Sequence, residues 1–176
     1  GPVGNVKVRI SDPNDPEAYD ESNNTFRIIA GFTLTAPNGG QALDVGGSYT
    51  IAWTSTSALV DNVELKYSTD GGATYPNIIG AAPNSANATY LWENIHNNIS
   101  SQIKIKVRDQ LDDTAFDVSD AILSIRAKFD LTNPDGGQTF TVAQPYTITW
   151  TNTGTVSKVK LEYTKDGSNY SLIADN

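Results

Sequence analysis

The sequence predicts an all-β chain built from repeated two-sheet sandwich modules. Three observations predict it: short runs in which apolar and polar residues alternate, clusters of Gly, Pro, Asn and Asp between those runs, and a return of the whole pattern after 97 residues. No stretch of ten or more residues carries helical periodicity.

The repeat sets the organisation. Residues 3–56 align without a gap on residues 100–153, and 22 of the 54 positions are identical. Chance at this composition gives roughly 3 or 4. Val6–Ile10 matches Ile103–Val107, Phe32–Gln41 matches Phe129–Gln138, and Tyr49–Thr54 matches Tyr146–Thr151. One deletion then moves the offset to 96, so that Val63–Tyr67 matches Val159–Tyr163 and Asp70-Gly71 matches Asp166-Gly167. A period of this length suits an immunoglobulin-like or fibronectin type III-like β-sandwich. The phase divides the chain in three. Residues 1–31 read as the closing strands of a preceding module, 32–128 as one complete module, and 129–176 as the opening half of a following module. The linkers, near Ala30-Gly31 and Ala127-Lys128, are one or two residues long and hold no Gly/Ser tract, so the modules are expected to stack as a stiff rod.

Within the complete repeat, Phe32 and Leu34 open the first strand. In Tyr49–Thr54, Tyr49, Ile51 and Trp53 share one face. Val63, Leu65 and Tyr67 do the same in the next strand, Tyr90 and Trp92 mark another, and Ile103, Ile105 and Val107 another, with Leu123 and Ile125 closing the module. Phe26 and Ile28 are the corresponding inward pair of the first segment. Pro37–Gly40, Gly46-Gly47, Asp70–Gly72 and Pro83-Asn84 supply the turns. About seven strands per repeat follow, enough for two facing sheets. Trp53 reads as core, because its neighbours two and four residues back are apolar or aromatic.

Composition narrows the function classes. The net charge is −8 and the isoelectric point about 4.4, which argues against nucleic acid or anionic lipid as a partner. There is no cysteine, hence no disulfide staple and no thiolate metal site. No apolar run approaches the 18 residues that a membrane-spanning helix needs. Gly1-Pro2 has the form of the scar left by a tag-removing protease, so the expectation is an excised fragment whose signal or anchor lies outside it.

The succession Pro-Asn-Gly-Gly (37–40), Tyr-Thr-Ile-Ala-Trp-Thr (49–54), Val-Glu-Leu-Lys-Tyr-Ser-Thr-Asp-Gly-Gly (63–72), Tyr90-x-Trp92 and Ile103-x-Ile-x-Val-x-Asp109 resembles the immunoglobulin-like tandem repeats of bacterial and archaeal cell-surface proteins. Those repeats are similar to the N-terminal domain of the Ser/Thr-rich, GPI-anchored fungal cell-wall family. The resemblance covers nearly the whole chain, with Tyr75 standing where the pattern usually carries Trp. It implies an extracellular, cell-surface role as a non-catalytic spacer, adhesion or surface-layer coat module. The alternative is a carbohydrate- or protein-binding accessory module of a secreted polysaccharide-active enzyme, with cell-wall polysaccharide as its ligand. Inward-facing aromatics favour the structural reading.

Candidate chemistry is sparse. His96 is the one histidine, in a loop with no local Ser/Asp pattern and no second histidine, and reads as solvated. The glycine pairs at 39–40 and 71–72 lie between strands, without the following helix or lysine of a phosphate loop. Asp12, Asp15 and Asp20 recur as Asp109, Asp112 and Asp117, with Asp113 adding charge. Such hard oxygen ligands near a module junction can bind Ca²⁺ and stiffen the rod. Alternatively, they supply turn geometry and solubility. Lys104, Lys106 and Arg108 form the solvent face of a strand, expected to pair across it with Glu64. Four N-x-Ser/Thr sequons, at Asn23, Asn87, Asn98 and Asn169, are about what chance gives.

The repeat phase carries one more expectation. Joined in repeat order, 129–176 and 3–31 lack only the stretch matching 82–99. They leave the central repeat from opposite ends, which points to head-to-tail self-association in which one chain completes the next. The plainer reading is that the segment boundaries cut through two modules.

Overall fold

The computed structural model describes residues 3–58 and 60–175, so Gly1-Pro2, for which the sequence suggested a protease scar, lies outside the described residues. Every regular element among them is a strand. The first segment holds β1 (Val3–Val6), β2 (Arg9–Asp12), β3 (Asp15–Glu21) and β4 (Phe26–Ile28). The central segment holds β5 (Phe32–Ala36), β6 (Ala42–Asp44), β7 (Tyr49–Ser55), β8 (Asn62–Ser68), β9 (Asn77–Pro83), β10 (Asn87–Trp92), β11 (Ser100–Asp109), β12 (Phe116–Val118) and β13 (Leu123–Arg126). The last segment holds β14 (Lys128–Asn133), β15 (Thr149–Thr153), β16 (Lys160–Thr164) and β17 (Tyr170–Asp175).

Two sheets form the central segment. One is ordered β10-β7-β5; the other is β6-β13-β11-β8-β9, with β12 paired to the upper part of β11. The strands number nine rather than about seven. Three of them fall outside the strands named above: β6, three residues pairing parallel to β13; β9, which returns along β8 after the Asp70 turn; and β12, which shares one edge of β11 with β13. Strict alternation places the core. Leu34, Ile51 and Trp53 from the smaller sheet meet Val63, Leu65, Tyr67, Ile105, Val107 and Ile125 from the larger, all buried. Tyr49 and Tyr90 pack at the rim. Arg108, on the outer face, pairs with Glu64 across the strands, its Nη2 lying 2.6 Å from Oε2.

Polar links tie the sheets together. The Asp117 carboxylate on β12 accepts a bond from the Leu34 amide on β5 at 2.6 Å. Asn38 donates to Asp120 at 2.6 Å, and the Asp120 amide donates back at 2.8 Å. Gly39, at φ 137°, lets the 37–40 turn approach Ala121 so closely that a Cβ there would collide with it. The β8–β9 hairpin turns on Asp70, whose carboxylate is held far below the usual range by the Ser68 and Thr74 hydroxyls and the Thr74 amide.

The outer segments keep the repeat's register pair by pair. Ser100↔Ile125 and Ile103↔Leu123 reappear as Val3↔Ile28 and Val6↔Phe26. Leu34↔Trp53 reappears as Leu131↔Trp150, and the bulge between Leu65 and Lys66 reappears between Leu161 and Glu162. Both Ala36-Pro37 and Asn133-Pro134 are cis. Each outer segment, however, has only two-stranded sheets: β1-β4 and β2-β3 in the first, β14-β15 and β16-β17 in the last. Residues 139–141, matching β6, form no strand, and no described strand pairs with them as β13 pairs with β6. β15 likewise begins at Thr149, the residues matching the β10-paired start of β7 being without that neighbour.

Candidate functional site

The acidic residues singled out above are distributed, not gathered. Asp109 is buried at the end of β11 and accepts from the Leu111 amide at 2.9 Å. Asp112 is buried; one oxygen takes the Thr114 hydroxyl (2.7 Å) and amide (3.0 Å), and the other takes Arg27 at 2.6 Å. The Thr114 bonds, then Arg27, hold the Asp112 carboxyl below its ordinary value. Asp113 is exposed and pairs with Arg108. Asp117 spends an oxygen on Leu34. In the first copy, Asp12 accepts from the Asn14 amide (2.8 Å) and Asp15 from the Glu17 amide (3.1 Å), while Asp20 lies on the exposed face of β3. Among the described residues no group of three or more His, Asp or Glu side chains is placed to hold a metal ion. The arrangement is that of turn acceptors and cross-links, because each carboxylate in the 109–117 loop already takes a nearby amide, hydroxyl or guanidinium.

One of those acceptors, Asp112, also reaches across a junction between segments. At one pole of the central sheets, Arg27 reaches Asp112 and Thr114, and Gly31 and Thr56 exchange backbone and side-chain bonds near 3.0 Å. At the other, Asn97 and Thr155 bond reciprocally at 2.7 and 3.0 Å. Gly154, at φ 99°, sits against Val45 and Ala127. The connections are Ile29–Gly31 on one side and Ala127 on the other.

His96 is exposed, as a loop histidine should be, but its Nδ1 lies 3.1 Å from the hydroxyl of buried Tyr67. Asn98 donates to the same hydroxyl at 2.7 Å, and burial raises the Tyr67 pKa. This cap on the core was not legible, since it joins residues 29 and 31 positions apart. On the outer face, the Lys106 ammonium lies 3.9 Å from the centre of the Phe116 ring, and Arg9 covers Tyr19 at the matching place in the first segment.

The last segment has an open apolar face. In the last segment Phe129, Leu131, Trp150, Val159 and Leu161 line a cavity of about 400 Å³. Their counterparts Phe32, Leu34, Trp53, Val63 and Leu65 are all in the central core. Leu34 is 1% exposed and Leu131 48%. The first segment shows the other half of this pattern: Val107 is 0% exposed and Ile10, its match, 74%. Val8, Phe26 and Ile28 also face solvent.

Comparison of the sequence with protein-family models and with curated proteins gives no match to either. Among the described residues, no helix is long and apolar enough to cross a membrane.

Proposed function

We propose that this chain is a stretch of immunoglobulin-like or fibronectin type III-like sandwich modules that serves as a stiff structural spacer, in a large extracellular protein of surface-layer, stalk or adhesin type. The observation that carries this reading is the conservation of strand register from one 97-residue copy to the next, across junctions only one to three residues long. Register-true copies on short, hydrogen-bonded linkers transmit force and orientation from one unit to the next. The aromatic residues support it too, since Trp53, Tyr67 and Trp92 are spent on the core. The low pI keeps a long array soluble.

Two measurements test the reading. Antibody against the central segment should label intact cells of the source organism; label only after permeabilisation would contradict the surface location. Scattering from dilute, monomeric chain should give one elongated particle. A distance distribution typical of flexibly linked beads would contradict the spacer.

A further inference from the structure

The free strand edges of the central unit are not all alike. In the larger sheet β6 and β12 are three residues each and carry Asp44 and Asp117. Asp44 pairs with Arg126 at 2.8 Å. On the free side of β5, the Leu34 amide is taken by the Asp117 carboxylate. Short length, charge and a side-chain cover are the ordinary defences of an edge strand. The two remaining edges, β9 and β10, have none of them. They are seven and six residues long, and each ends its sheet with no strand beyond it among the described residues.

Both belong to one uncharged run. From Gly71 to Trp92 there is no Asp, Glu, Lys, Arg or His. At 18% charged residues overall, a run of that length would hold about four. The two strands also share a flank. Tyr90 of β10 packs on Gly80 of β9 so closely that a Cβ at 80 would collide with its ring and hydroxyl. Ile78 is 56% exposed on β9 and Leu91 52% on β10. Pro76 and Pro83 bracket the inner residues of β9, so residues 77–82 all keep an N–H and the prolines limit how far pairing can run.

We propose that this flank is a lateral interface: β9 of one chain pairs antiparallel with β9 of a second copy about a two-fold axis, extending the larger sheet from one chain into the other. The proposal goes beyond the spacer reading, and it stands whether or not the chain sits at a cell surface. It uses only the central unit.

Charge selects the partner. A chain of net charge −8 repels its own copies over most of its surface, and the β9–β10 flank is where two copies approach at least electrostatic cost. A basic or acidic partner would gain no steering from it. An uncharged flank is complementary to its own image, which is what a two-fold contact requires. The backbone then supplies the bonds, since the outward N–H and C=O groups of β9 find their partners on an antiparallel strand.

The bare edge is not imposed by the fold. The pairing Glu64↔Ala81 of the centre has Lys160↔Asp175 at the matching place in the last segment. The same strand position therefore takes a carboxylate in one copy and a methyl group in the other. Ala81 is exposed and lies on the outer face of the sheet, opposite Glu64, so a charge there projects beside the proposed contact.

Sedimentation velocity of the whole chain, from dilute solution to about millimolar concentration, tests the proposal. The mean mass should rise from 18.9 kDa toward twice that value. Ala81→Asp and Ala81→Lys should each weaken the association at least about tenfold, because the two-fold brings each new charge near its own copy. Ala81→Lys faces Glu64 within the chain, so its melting temperature should not fall, which separates a lost contact from a lost fold. An equimolar mixture of the two variants should associate again, since unlike charges then face each other. A parent chain that stays at one chain mass throughout would overturn the proposal and leave the spacer reading intact. Association untouched by both variants would overturn it by placing the contact elsewhere. Loss in each variant with no recovery on mixing would overturn the β9–β9 pairing, as expected if the flank met a different surface.

Discussion

Trp53 and Trp150 occupy the same place in the repeat, each on a strand paired in the same register with the opening strand of its copy, and only Trp53 is sealed in a core. Tyr67 and Tyr163 repeat the contrast at 0% and 44% exposure. The difference separates two things that a strand sequence encodes. Local alternation and turn chemistry set which residues pair and which face is apolar. Burial needs a second sheet with more strands than the pairs β14-β15 and β16-β17 that the described residues of the last segment form. Two-stranded sheets without such cover are marginal in water, so the outer segments depend on what closes over them.

The contrast should be largest in the cores. Trp53→Ala is expected to cost the central unit about 3–5 kcal/mol, through lost contacts and the cavity left behind. Trp150→Ala in dilute solution should cost less than about 1 kcal/mol, because its counterpart core is already open. Calorimetric melting of both variants checks this, and equal losses would erase the distinction.

Next in size are the inter-sheet bonds. Asp117→Ala strands the Leu34 amide beneath β12, a loss of about 2 kcal/mol in chemical denaturation. Asp20→Ala at the matching position should leave the dilute chain unchanged.

Smallest is a pH effect at the junction. A carboxyl held below its ordinary value stabilises fully above that value, and the contribution is lost as pH falls through the depressed one. Asp112 is such a group, so the contact with Arg27 should loosen as pH drops below the ordinary 3.8. NMR of the Arg27 side chain should report it, and Asp112→Asn should remove the pH dependence. Because Arg27 is half exposed, the change should be confined to the first segment.

How much of this could be read from the residues follows from the same distinction. The alternation in Ile103–Val107 and Val63–Tyr67 located the buried face, and Asp70-Gly71 located a hairpin turn. Identical alternation in Phe26–Ile28 and Phe129–Leu131 marks a face that no second sheet among the described residues covers, since periodicity does not say whether a second sheet is present. β6 was hidden because three residues show no period and its partner lies 82 positions away. The Asp residues at 109–117 looked like a ligand set in sequence. Their carboxylates point to different partners because each residue closes a different turn or link.

Hydrogen exchange bears most directly on the central claim, that the copies share register and differ in how far their strands are covered. At high dilution, amides of β8 and β11 should be protected as part of a closed core, while those of β2, β16 and residues 139–141 exchange rapidly. Outer strands as protected as the centre would contradict the account.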